Sequence, residues 1–452
     1  TTRIRSYQEK ALNRIFVKNR ARSGIVVLPC GAGKTLLGIC CMTQMRKHTL
    51  IICINNMTVN QWCNQITFFT EIDRSRIFKF ISEENQKNEP PDLTSPCIVV
   101  STYTMISRND ELRGAWAKKF MEKISAIEWG LLLLDEVQVA PAEMFKRAFL
   151  TKTKSHTKIG LTATLVREDN KIEDLLFYIG PKLYEESWIE LTKQGFLASC
   201  RCIEIRTKMP EMFKREYEIK REGDFARNLG MYLYTANPNK FIVLQYLITL
   251  HRAMGHKILI FIDTIDVLVE FATRLKYPFI IGQMSNFERE QILRFFKQLP
   301  DWSVLFVSRV GDVGIDIPDA NVAIEVSSQF GSRRQEAQRL GRILRPKEKR
   351  MGDSYQSYFY SLVSMETEET IYAMKRQKFL IKQGYSFQVE NEEDFIYNKE
   401  PERRKDFKLT SRDEQLEYLN RIMSKCANNE TQGPKAALKR NAVEGPGTYG
   451  QF

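Results

Sequence analysis

Short apolar runs alternate with longer amphipathic segments along most of the chain. The apolar runs are three to six residues long, which is typical of strands buried on both faces of a sheet. They lie at 25–28, 50–54, 98–100, 131–134 and 159–161, and again at 258–262, 279–281, 304–307, 322–326 and 358–363. The alternation predicts an α/β fold with two parallel sheets, each covered by helices on both faces.

Changes in charge and composition divide the chain into three predicted parts. Residues 1–187 and 188–390 are each expected to hold one sheet. The segment 208–240 is charged and helix-prone and lacks a strand pattern, which predicts a helical insertion projecting from the second part. Residues 391–452 are predicted to be a charged tail, and after Lys425 the Asn, Gly, Pro and Ala content favours disorder.

Composition and charge narrow the class of protein. The chain has 452 residues, 43% of them hydrophobic, enough for two or three cores. Its net charge of +13 favours a polyanionic partner such as nucleic acid. The nine cysteines form no zinc-type spacing with histidine, and an odd number argues against a disulfide framework. Without an apolar run long enough to span a membrane, a soluble protein of a reducing compartment is expected.

A glycine-rich stretch separates the first apolar run from a helical segment. It consists of Leu28, Pro29, Cys30, Gly31, Ala32, Gly33, Lys34 and Thr35. Such a turn directs backbone N–H groups toward one point, where the helix dipole also favours negative charge. Lys34 can then reach the β- and γ-phosphates of a nucleotide, and the Thr35 hydroxyl can ligate Mg²⁺. Leu28 replaces the usual first glycine, so the alternative is a chance Gly-Lys-Thr turn.

Two carboxylates follow the run 131–134. Asp135 and Glu136 are thereby placed at the carboxyl edge of the predicted sheet, where ligands of open α/β folds bind. Asp135 is expected to hold Mg²⁺ through water, and Glu136 to polarise the attacking water. The alternative is a solvent-facing acidic pair at the start of a loop.

A basic helix is predicted at 335–345. Its spacing places Gln338, Arg342 and Arg345 on roughly one side. The two arginines could reach a γ-phosphate as arginine fingers supplied by the same chain. The alternatives are a solvated basic face or a nucleic-acid contact.

These motifs occur in the order found in superfamily 2 helicases, which the chain resembles. They are Gly31-Ala32-Gly33-Lys34-Thr35, Asp135-Glu136-Val137-Gln138, Leu161-Thr162-Ala163-Thr164 and the segment 338–345. The segments 28–34, 160–169 and 331–342 are similar to the xeroderma pigmentosum group B helicase family. The segments 360–364 and 383–387 extend this similarity, which covers about residues 3–389.

The resemblance implies a 3′→5′ DNA helicase or double-stranded DNA translocase, the ATPase of general transcription factor IIH. That complex opens DNA for transcription initiation and nucleotide excision repair. The resemblance implies two RecA-like domains with the ATP site in the cleft between them, and ATP and Mg²⁺ as cofactors. It also implies DNA and other subunits of such a complex as partners, and a nuclear location.

The resemblance also assigns residues. It implies adenine recognition by Arg5 and Gln8. It implies nucleotide binding or coupling by Gln138, Gly314, Asp316 and Gln338. It implies DNA contacts by Thr102, Arg167, Glu168 and Asp169, and a thumb-like insertion at about 208–240. From the residues alone, 167–169 could equally be a surface ion-pair cluster.

Three departures from the family pattern affect these expectations. Gln138 stands where the family has His, which affects coupling to the second domain more than hydrolysis. Ser6 replaces a usual Pro. The family's N-terminal damage-recognition region has no match in these residues, so a fragment or a shortened, diverged member is expected. The alternatives in function are a scaffold with a vestigial ATPase and an RNA-dependent ATPase of the same superfamily.

Overall fold

The computed structural model describes residues 4–18, 20–81, 91–137, 153–163, 172–219, 223–308, 320–327, 339–341, 343, 355–397 and 407–431. The chain forms two compact units. The first consists of Thr1–Leu197 with Val313–Ile315, and the second of Ala198–Asp312 with Asp316–Phe452. The sequence analysis places this boundary earlier, between residues 187 and 188.

The first unit contains a seven-stranded parallel sheet and a short antiparallel hairpin. The strands are β1 (Phe16–Val17), β2 (Arg20–Ala21), β3 (Gly24–Val27), β4 (Thr49–Cys53), β5 (Ile77–Phe80), β6 (Ile98–Thr102), β7 (Glu128–Asp135), β8 (Lys154–Thr162) and β9 (Lys182–Glu185). The hairpin is β1–β2, and the sheet order is β5-β6-β4-β7-β8-β3-β9. The α-helices of this unit are Ser6–Ile15, Lys34–Met45, Asn56–Phe69, Tyr103–Ser107, Ala115–Ala126, Ile172–Ile179 and Trp188–Lys193.

The core of the first unit lies on both faces of its central strands. Every residue of β4 is buried, and in β7 every residue except Glu128 is buried. These strands are runs of Leu and Ile because helices cover both faces of the sheet, which leaves no solvent-facing side. The carboxyl ends of β3 and β7 therefore lie at one sheet edge, with β8 between them.

The second unit also contains a seven-stranded parallel sheet. Its strands are β10 (Cys200–Thr207), β11 (Ile258–Phe261), β12 (Phe279–Ile280), β13 (Val304–Val307), β14 (Val322–Glu325), β15 (Ser357–Ser364) and β16 (Ser386–Asn391). They are ordered β12-β13-β11-β14-β15-β10-β16. The α-helices are Glu211–Glu218, Gly223–Thr235, Pro238–Ala253, Ile265–Leu275, Asn286–Gln298, Glu369–Lys382 and Arg412–Thr431.

The described part of the segment 208–240 is mostly helical and packs onto the second unit. Phe213, Leu229 and Leu233 are all buried in that unit's main apolar cluster. The ring of Phe213 lies 6.1 Å from that of Tyr418 on the helix Arg412–Thr431. These helices bury apolar faces, whereas the sequence analysis expects a projecting insertion.

The chain after residue 390 contributes to the same core. Phe395, Tyr418 and Ile422 are buried in the apolar cluster of the second unit. Residues 393–397 and the helix Arg412–Thr431 are thus packed elements, whereas the sequence analysis assigns them to a charged tail. This helix is rich in charged residues, so its sequence does not make evident the apolar face that packs on the second unit.

The predicted fold class is confirmed, because both seven-stranded sheets are parallel and helices connect the strands. Each predicted apolar run coincides with a strand. Six strands were not predicted. Strands β1 and β2 are only two residues long, β5, β9 and β16 lie at sheet edges, and Arg and Glu interrupt the apolar pattern of β10. Among the described residues, no helix is both long and apolar enough to cross a bilayer.

Candidate nucleotide site

The glycine-rich loop begins directly after β3 and leads into the helix Lys34–Met45. Gly31 and Gly33 have φ values of 81° and 76°, a left-handed backbone that glycine adopts without steric cost. Gly33 is the N-cap residue of the helix. The first N–H groups of a helix have no partner inside the helix, so this end can bind an anion.

Tyr7 and Gln8 hold the loop from the helix Ser6–Ile15. The Tyr7 hydroxyl donates to the Ala32 carbonyl at 2.7 Å. Gln8 Nε2 donates to the carbonyls of Ala32 and Gly33 at 3.3 and 3.2 Å. A Cβ on Gly33 would lie 2.7 Å from Gln8 Nε2, so a larger residue at 33 would displace the Gln8 side chain from the loop, in addition to straining the backbone at this φ. Gln8 is 2% exposed, and its side chain supports the loop backbone.

Arg5 lies at the start of the same helix. Its Nη1 donates to the Tyr7 hydroxyl at 3.2 Å and to the Phe196 carbonyl at 3.3 Å. Its guanidinium carbon lies 5.3 Å from the centre of the Phe196 ring, within cation–π range. The Arg5 backbone N–H also donates to Gln8 Oε1 at 3.0 Å. Arg5 and Gln8 are therefore adjacent and held by these contacts, and their recognition of adenine stays a prediction.

Lys34 faces the acidic pair at the end of β7. Its Nζ lies 3.7 Å from Glu136 Oε1, and the two side chains are 12% and 15% exposed. Burial favours the neutral amine, but the electrostatic effect of Cys30, Glu136 and Asp135 outweighs burial and raises the pKa of Lys34. Lys34 is thus a cation held among negative groups, and it is available to bind phosphate oxygens when a nucleotide enters.

Asp135 is buried, with 8% of its surface exposed. Its Oδ2 accepts a hydrogen bond from Trp62 Nε1 at 2.9 Å, and its backbone carbonyl accepts one from the Tyr103 hydroxyl at 3.0 Å. Burial and the neighbouring Glu136 raise the pKa of Asp135 to about 6, while the Trp62 hydrogen bond and Lys34 oppose that rise. Two adjacent carboxylates at this edge favour the binding of a positively charged group.

The residues predicted to hold Mg²⁺ fit that ion in chemistry. Thr35 supplies a hydroxyl in the first turn of the helix, and Asp135 a carboxylate whose ionised form needs a positive partner. Mg²⁺ binds hard oxygen ligands and usually keeps several waters, so few protein ligands suffice. Accordingly, among the described residues there is no cluster of three or more His, Cys, Asp or Glu suited to a metal ion.

The first unit brings together several of the predicted site residues. Its sheet edge holds Arg5, Gln8, Pro29, Cys30, Gly31, Ala32, Gly33, Lys34, Thr35, Asp135 and Glu136. Thr102 is 4% exposed, and its Oγ1 accepts from the Met105 N–H at 3.1 Å as the cap of the helix Tyr103–Ser107. Its predicted DNA contact is untested. Gln138, Arg167, Glu168, Asp169, Gly314, Asp316, Gln338, Arg342 and Arg345 lie outside the described residues.

Three aromatic residues of the site were not identified from the sequence. Trp62, Tyr103 and Tyr7 each donate a hydrogen bond to the loop or to Asp135. No motif spacing marks Trp62. It reaches Asp135 because β4 pairs with β7, and the helix Asn56–Phe69, which carries Trp62, contacts β4. The sequence hinted only weakly at Tyr103, because this residue directly follows Thr102, the predicted DNA contact.

Two family profiles match the chain. That of the ERCC3/RAD25/XPB C-terminal helicase matches residues 191–445. That of the type III restriction enzyme res subunit matches residues 1–167. The first match spans more than half of the chain and includes all of the second unit's sheet.

Curated relatives cover nearly the whole chain. The chain is 47% identical over 423 residues to a protein of Dictyostelium discoideum named general transcription and DNA repair factor IIH helicase/translocase subunit XPB, covering 94% of this chain and 51% of that protein. It is 44% identical over 424 residues to the Danio rerio protein of that name, covering 94% and 52%. The chain thus spans about half the length of the curated relatives it matches.

Solved structures show the same architecture at low sequence identity. The Pyrococcus furiosus Hef helicase domain superposes with a TM-score of 0.53 at 16% identity, covering 83% of this chain and 98% of that one. Dbp5 of S. cerevisiae, bound to RNA and ADP BeF3, has a TM-score of 0.55 at 14% identity, covering 88% and 92%. The fold of both units is that of RecA-like helicase domains, and the chain belongs to the ERCC3/RAD25/XPB helicase family.

Proposed function

We propose that this chain is an ATP-dependent 3′→5′ DNA helicase or double-stranded DNA translocase that opens DNA in nucleotide excision repair and transcription initiation. The observation that supports this most directly is the cluster at the first sheet edge. Lys34 lies 3.7 Å from Glu136 and beside Asp135, directly after a glycine-rich loop in a chain of the XPB family. This arrangement has the parts that phosphoryl transfer from a nucleotide needs.

The described residues have different roles in ATP hydrolysis. The loop N–H groups and Lys34 bind the β- and γ-phosphates, and Arg5 and Gln8 hold the adenine. Thr35 and Asp135 hold Mg²⁺, which supplies positive charge against the phosphate oxygens. Glu136 accepts a proton from the attacking water. Its φ of 48° is a left-handed conformation that is uncommon for a residue other than glycine.

Residues outside the described part of the chain are proposed to complete the reaction. Arg342 and Arg345 stabilise the charge that develops on the γ-phosphate in the transition state. Gly314, Asp316 and Gln338 bind or sense the nucleotide in the family pattern, and Gln138 couples the two units in place of the family His. These assignments rest on the family membership.

The partners follow from charge and from the relatives. A net charge of +13 suits a motor that binds the DNA backbone regardless of sequence. Thr102, Arg167, Glu168 and Asp169 are the proposed DNA contacts, with 208–240 as the thumb-like segment. The relatives are named as subunits of general transcription and DNA repair factor IIH, so we propose a nuclear protein that works with other subunits of such a complex.

A nucleic-acid-dependent hydrolysis assay tests the proposal. ATP turnover is measured with duplex DNA, single-stranded DNA and RNA, alongside DNA opening. We expect DNA to stimulate turnover and RNA to have little effect. Stimulation by RNA alone would identify an RNA-dependent ATPase, and absence of turnover under all conditions would identify a scaffold with a vestigial site.

Two variants separate binding from chemistry in the same assay. Lys34→Ala is expected to weaken ATP binding, because it removes the phosphate-binding cation. Glu136→Gln is expected to bind ATP yet lose turnover by about a hundredfold or more, because it keeps the side-chain shape and removes the base. Unimpaired turnover in Glu136→Gln would remove Glu136 from the role of base.

A salt titration tests the mode of DNA binding. Each phosphate contact on duplex DNA lowers log K by about 0.9 per unit of log salt concentration, so we expect a steep slope and little difference between unrelated duplexes. A flat response, or strong preference for one sequence, would contradict a backbone-tracking motor.

A further inference from the structure

Arg339 is a fully buried arginine at the carboxyl edge of the second sheet. It is 1% exposed, and its Nη2 donates to Asp263 Oδ1 at 2.6 Å. Its Nη1 donates to Glu325 Oε1, and its guanidinium carbon lies 4.9 Å from the centre of the Phe261 ring. A guanidinium bonded to two carboxylates and stacked on a ring is held in one orientation.

The partners of Arg339 come from neighbouring strands. Phe261 ends β11 and is followed closely by Asp263, while Glu325 ends β14, which pairs with β11. Glu325 Oε2 also lies 3.3 Å from Arg376 Nη2 on the helix Glu369–Lys382. The cluster of Arg339, Asp263, Glu325 and Arg376 therefore joins two central strands to a covering helix.

A second bond fixes the other end of the same helical turn. Residues 339–341 and 343 are helical, and Leu340 and Ile343 are buried. The Ser357 hydroxyl, at the start of β15, donates to the Ile343 carbonyl at 2.8 Å. The turn is thus attached to the sheet through a charged side chain at its first residue and through a backbone carbonyl four residues later.

We propose that Arg339 and Ser357 are positioning residues that set the placement of Arg342 for ATP hydrolysis. Arg342 follows Arg339 by three residues and directly precedes Ile343, so the two attachments hold described residues on either side of it in sequence. The inference rests on the proposed function, in which Arg342 stabilises the transition state. It adds two buried residues on which the arginine's position depends.

The physical argument concerns how sensitive such a group is to its position. A displacement of about 1 Å at a catalytic group can cost about a hundredfold in rate. A buried ion cluster is weak evidence for stability in itself, because removal of the charges from water costs about as much as their attraction returns. Its effect here is to hold the helical turn in place, because the guanidinium of Arg339 bonds to both Asp263 and Glu325 only in this arrangement.

The sharpest test compares two serines of the same strand. Ser357 and Ser364 are the first and last residues of β15, both fully buried, and each hydroxyl donates to a backbone carbonyl at 2.8 Å. The carbonyl is that of Ile343 for Ser357 and that of Tyr234 for Ser364. Ser364→Ala is therefore a control for the loss of a buried hydroxyl on the same strand. It is the more severe loss, because Ser364 Oγ also accepts a hydrogen bond from Asn237 Nδ2 at 3.0 Å.

We expect Ser357→Ala to lower kcat by about threefold, with little change in KM for ATP, whereas Ser364→Ala leaves kcat near wild type. Arg339→Lys keeps the charge but loses the fork, and should lower kcat by about tenfold or more. Binding gives a readout apart from turnover. Ser357→Ala should weaken the affinity for ADP–aluminium fluoride, a transition-state analogue, more than the affinity for ATP.

A double-mutant cycle with Arg342→Ala tests whether the effect passes through Arg342. In that background Ser357→Ala and Arg339→Lys should reduce kcat no further. Equal kcat values for Ser357→Ala, Ser364→Ala and wild type would overturn the inference, as would fully additive effects with Arg342→Ala. If wild type hydrolyses no ATP, or if Arg342→Ala is inert, the proposed function fails instead, so the two failures are distinguishable. Should Arg339→Lys not fold, the serine pair alone decides.

Discussion

Trp62 Nε1 donates a hydrogen bond of 2.9 Å to Asp135 Oδ2, which links the helix after β4 to the carboxylate at the end of β7. This bond favours the ionised carboxylate, whereas burial and Glu136 disfavour it, and the balance raises the pKa of Asp135 to about 6. The protonation state of a proposed metal ligand thus depends on an indole that was not predicted from the sequence.

Substitution of that indole should change the pH dependence of ATP hydrolysis. Trp62→Phe removes the donor, so the pKa of Asp135 should rise further in the free protein. A hydrogen bond to a charged group contributes about 1.5–3 kcal/mol, so the acidic limb of kcat/KM should move up by about one pH unit or more.

Trp129→Phe provides the control for this profile. Trp129 is also a buried tryptophan of the first unit, and its Nε1 donates to the Ile124 carbonyl at 3.0 Å. Its loss should lower stability without moving the acidic limb. Identical pH profiles for the two variants would show that Trp62 does not control the ionisation of Asp135.

The glycine at the helix start can be tested against a second glycine of nearly equal φ. Gly33 has a φ of 76° and Gly195 a φ of 74°. An added Cβ meets Gln8 Nε2 at 2.7 Å at Gly33, but meets nothing within 4 Å at Gly195. Both Ala variants should lose about 1–2 kcal/mol of stability, because alanine is strained in the left-handed backbone. Only Gly33→Ala should raise KM for ATP, by about tenfold or more, because the loop must shift there. Equal KM values would show that Gln8 yields to the methyl group.

A buried histidine pair should make the second unit sensitive to acid. His251 Nδ1 lies 3.0 Å from His256 Nδ1. Burial, and to a smaller extent the charge of the neighbouring His256, lowers the pKa of His251 from 6.5 to about 3. Between these two values the unfolded chain binds the proton and the folded protein does not. The free energy of unfolding should therefore fall as pH drops below about 6.5, by about 1.4 kcal/mol per pH unit.

The histidine effect is isolated by a difference between variants. Urea unfolding at pH 7 and pH 5 should show a smaller loss of stability for His251→Gln than for wild type. His156, whose side chain is 57% exposed, gives the control His156→Gln, which should keep the wild-type pH dependence. The same loss of stability in all three proteins would assign the acid sensitivity to other groups.

Cys30 is expected to be the cysteine most reactive toward alkylation. It lies in the loop beside the Lys34 ammonium and the helix N-terminus, and positive potential favours the thiolate. Of the nine cysteines only Cys30 and Cys40 are not fully buried, and burial raises the pKa of Cys40. Limited alkylation read by mass spectrometry should label Cys30 first, with loss of ATPase activity and protection by ATP·Mg²⁺. Labelling at Cys40 as fast as at Cys30, or labelling of Cys30 without loss of activity, would refute this expectation.

The sequence by itself determined the fold class and the loop chemistry. Runs such as 50–54 and 131–134 are apolar at every position, and only strands covered on both faces need that pattern. The order of the nucleotide loop, the acidic pair and the basic helix was enough to indicate the helicase family. These are local properties, because a strand, a turn or a helix is specified mainly by residues close together in sequence.

Only the tertiary structure decided which side chains support the site. Trp62 reaches Asp135, and Arg339 reaches Asp263 and Glu325, because strands distant in sequence pair as neighbours. It also placed the helix Arg412–Thr431 in the core of the second unit, although its charge predicts a solvated tail. A helix needs only one apolar face to pack, and whether that face is buried depends on an opposing surface built from other parts of the chain. Strand pairing and face-to-face packing join residues far apart in sequence, so local pattern alone could not reveal these contacts.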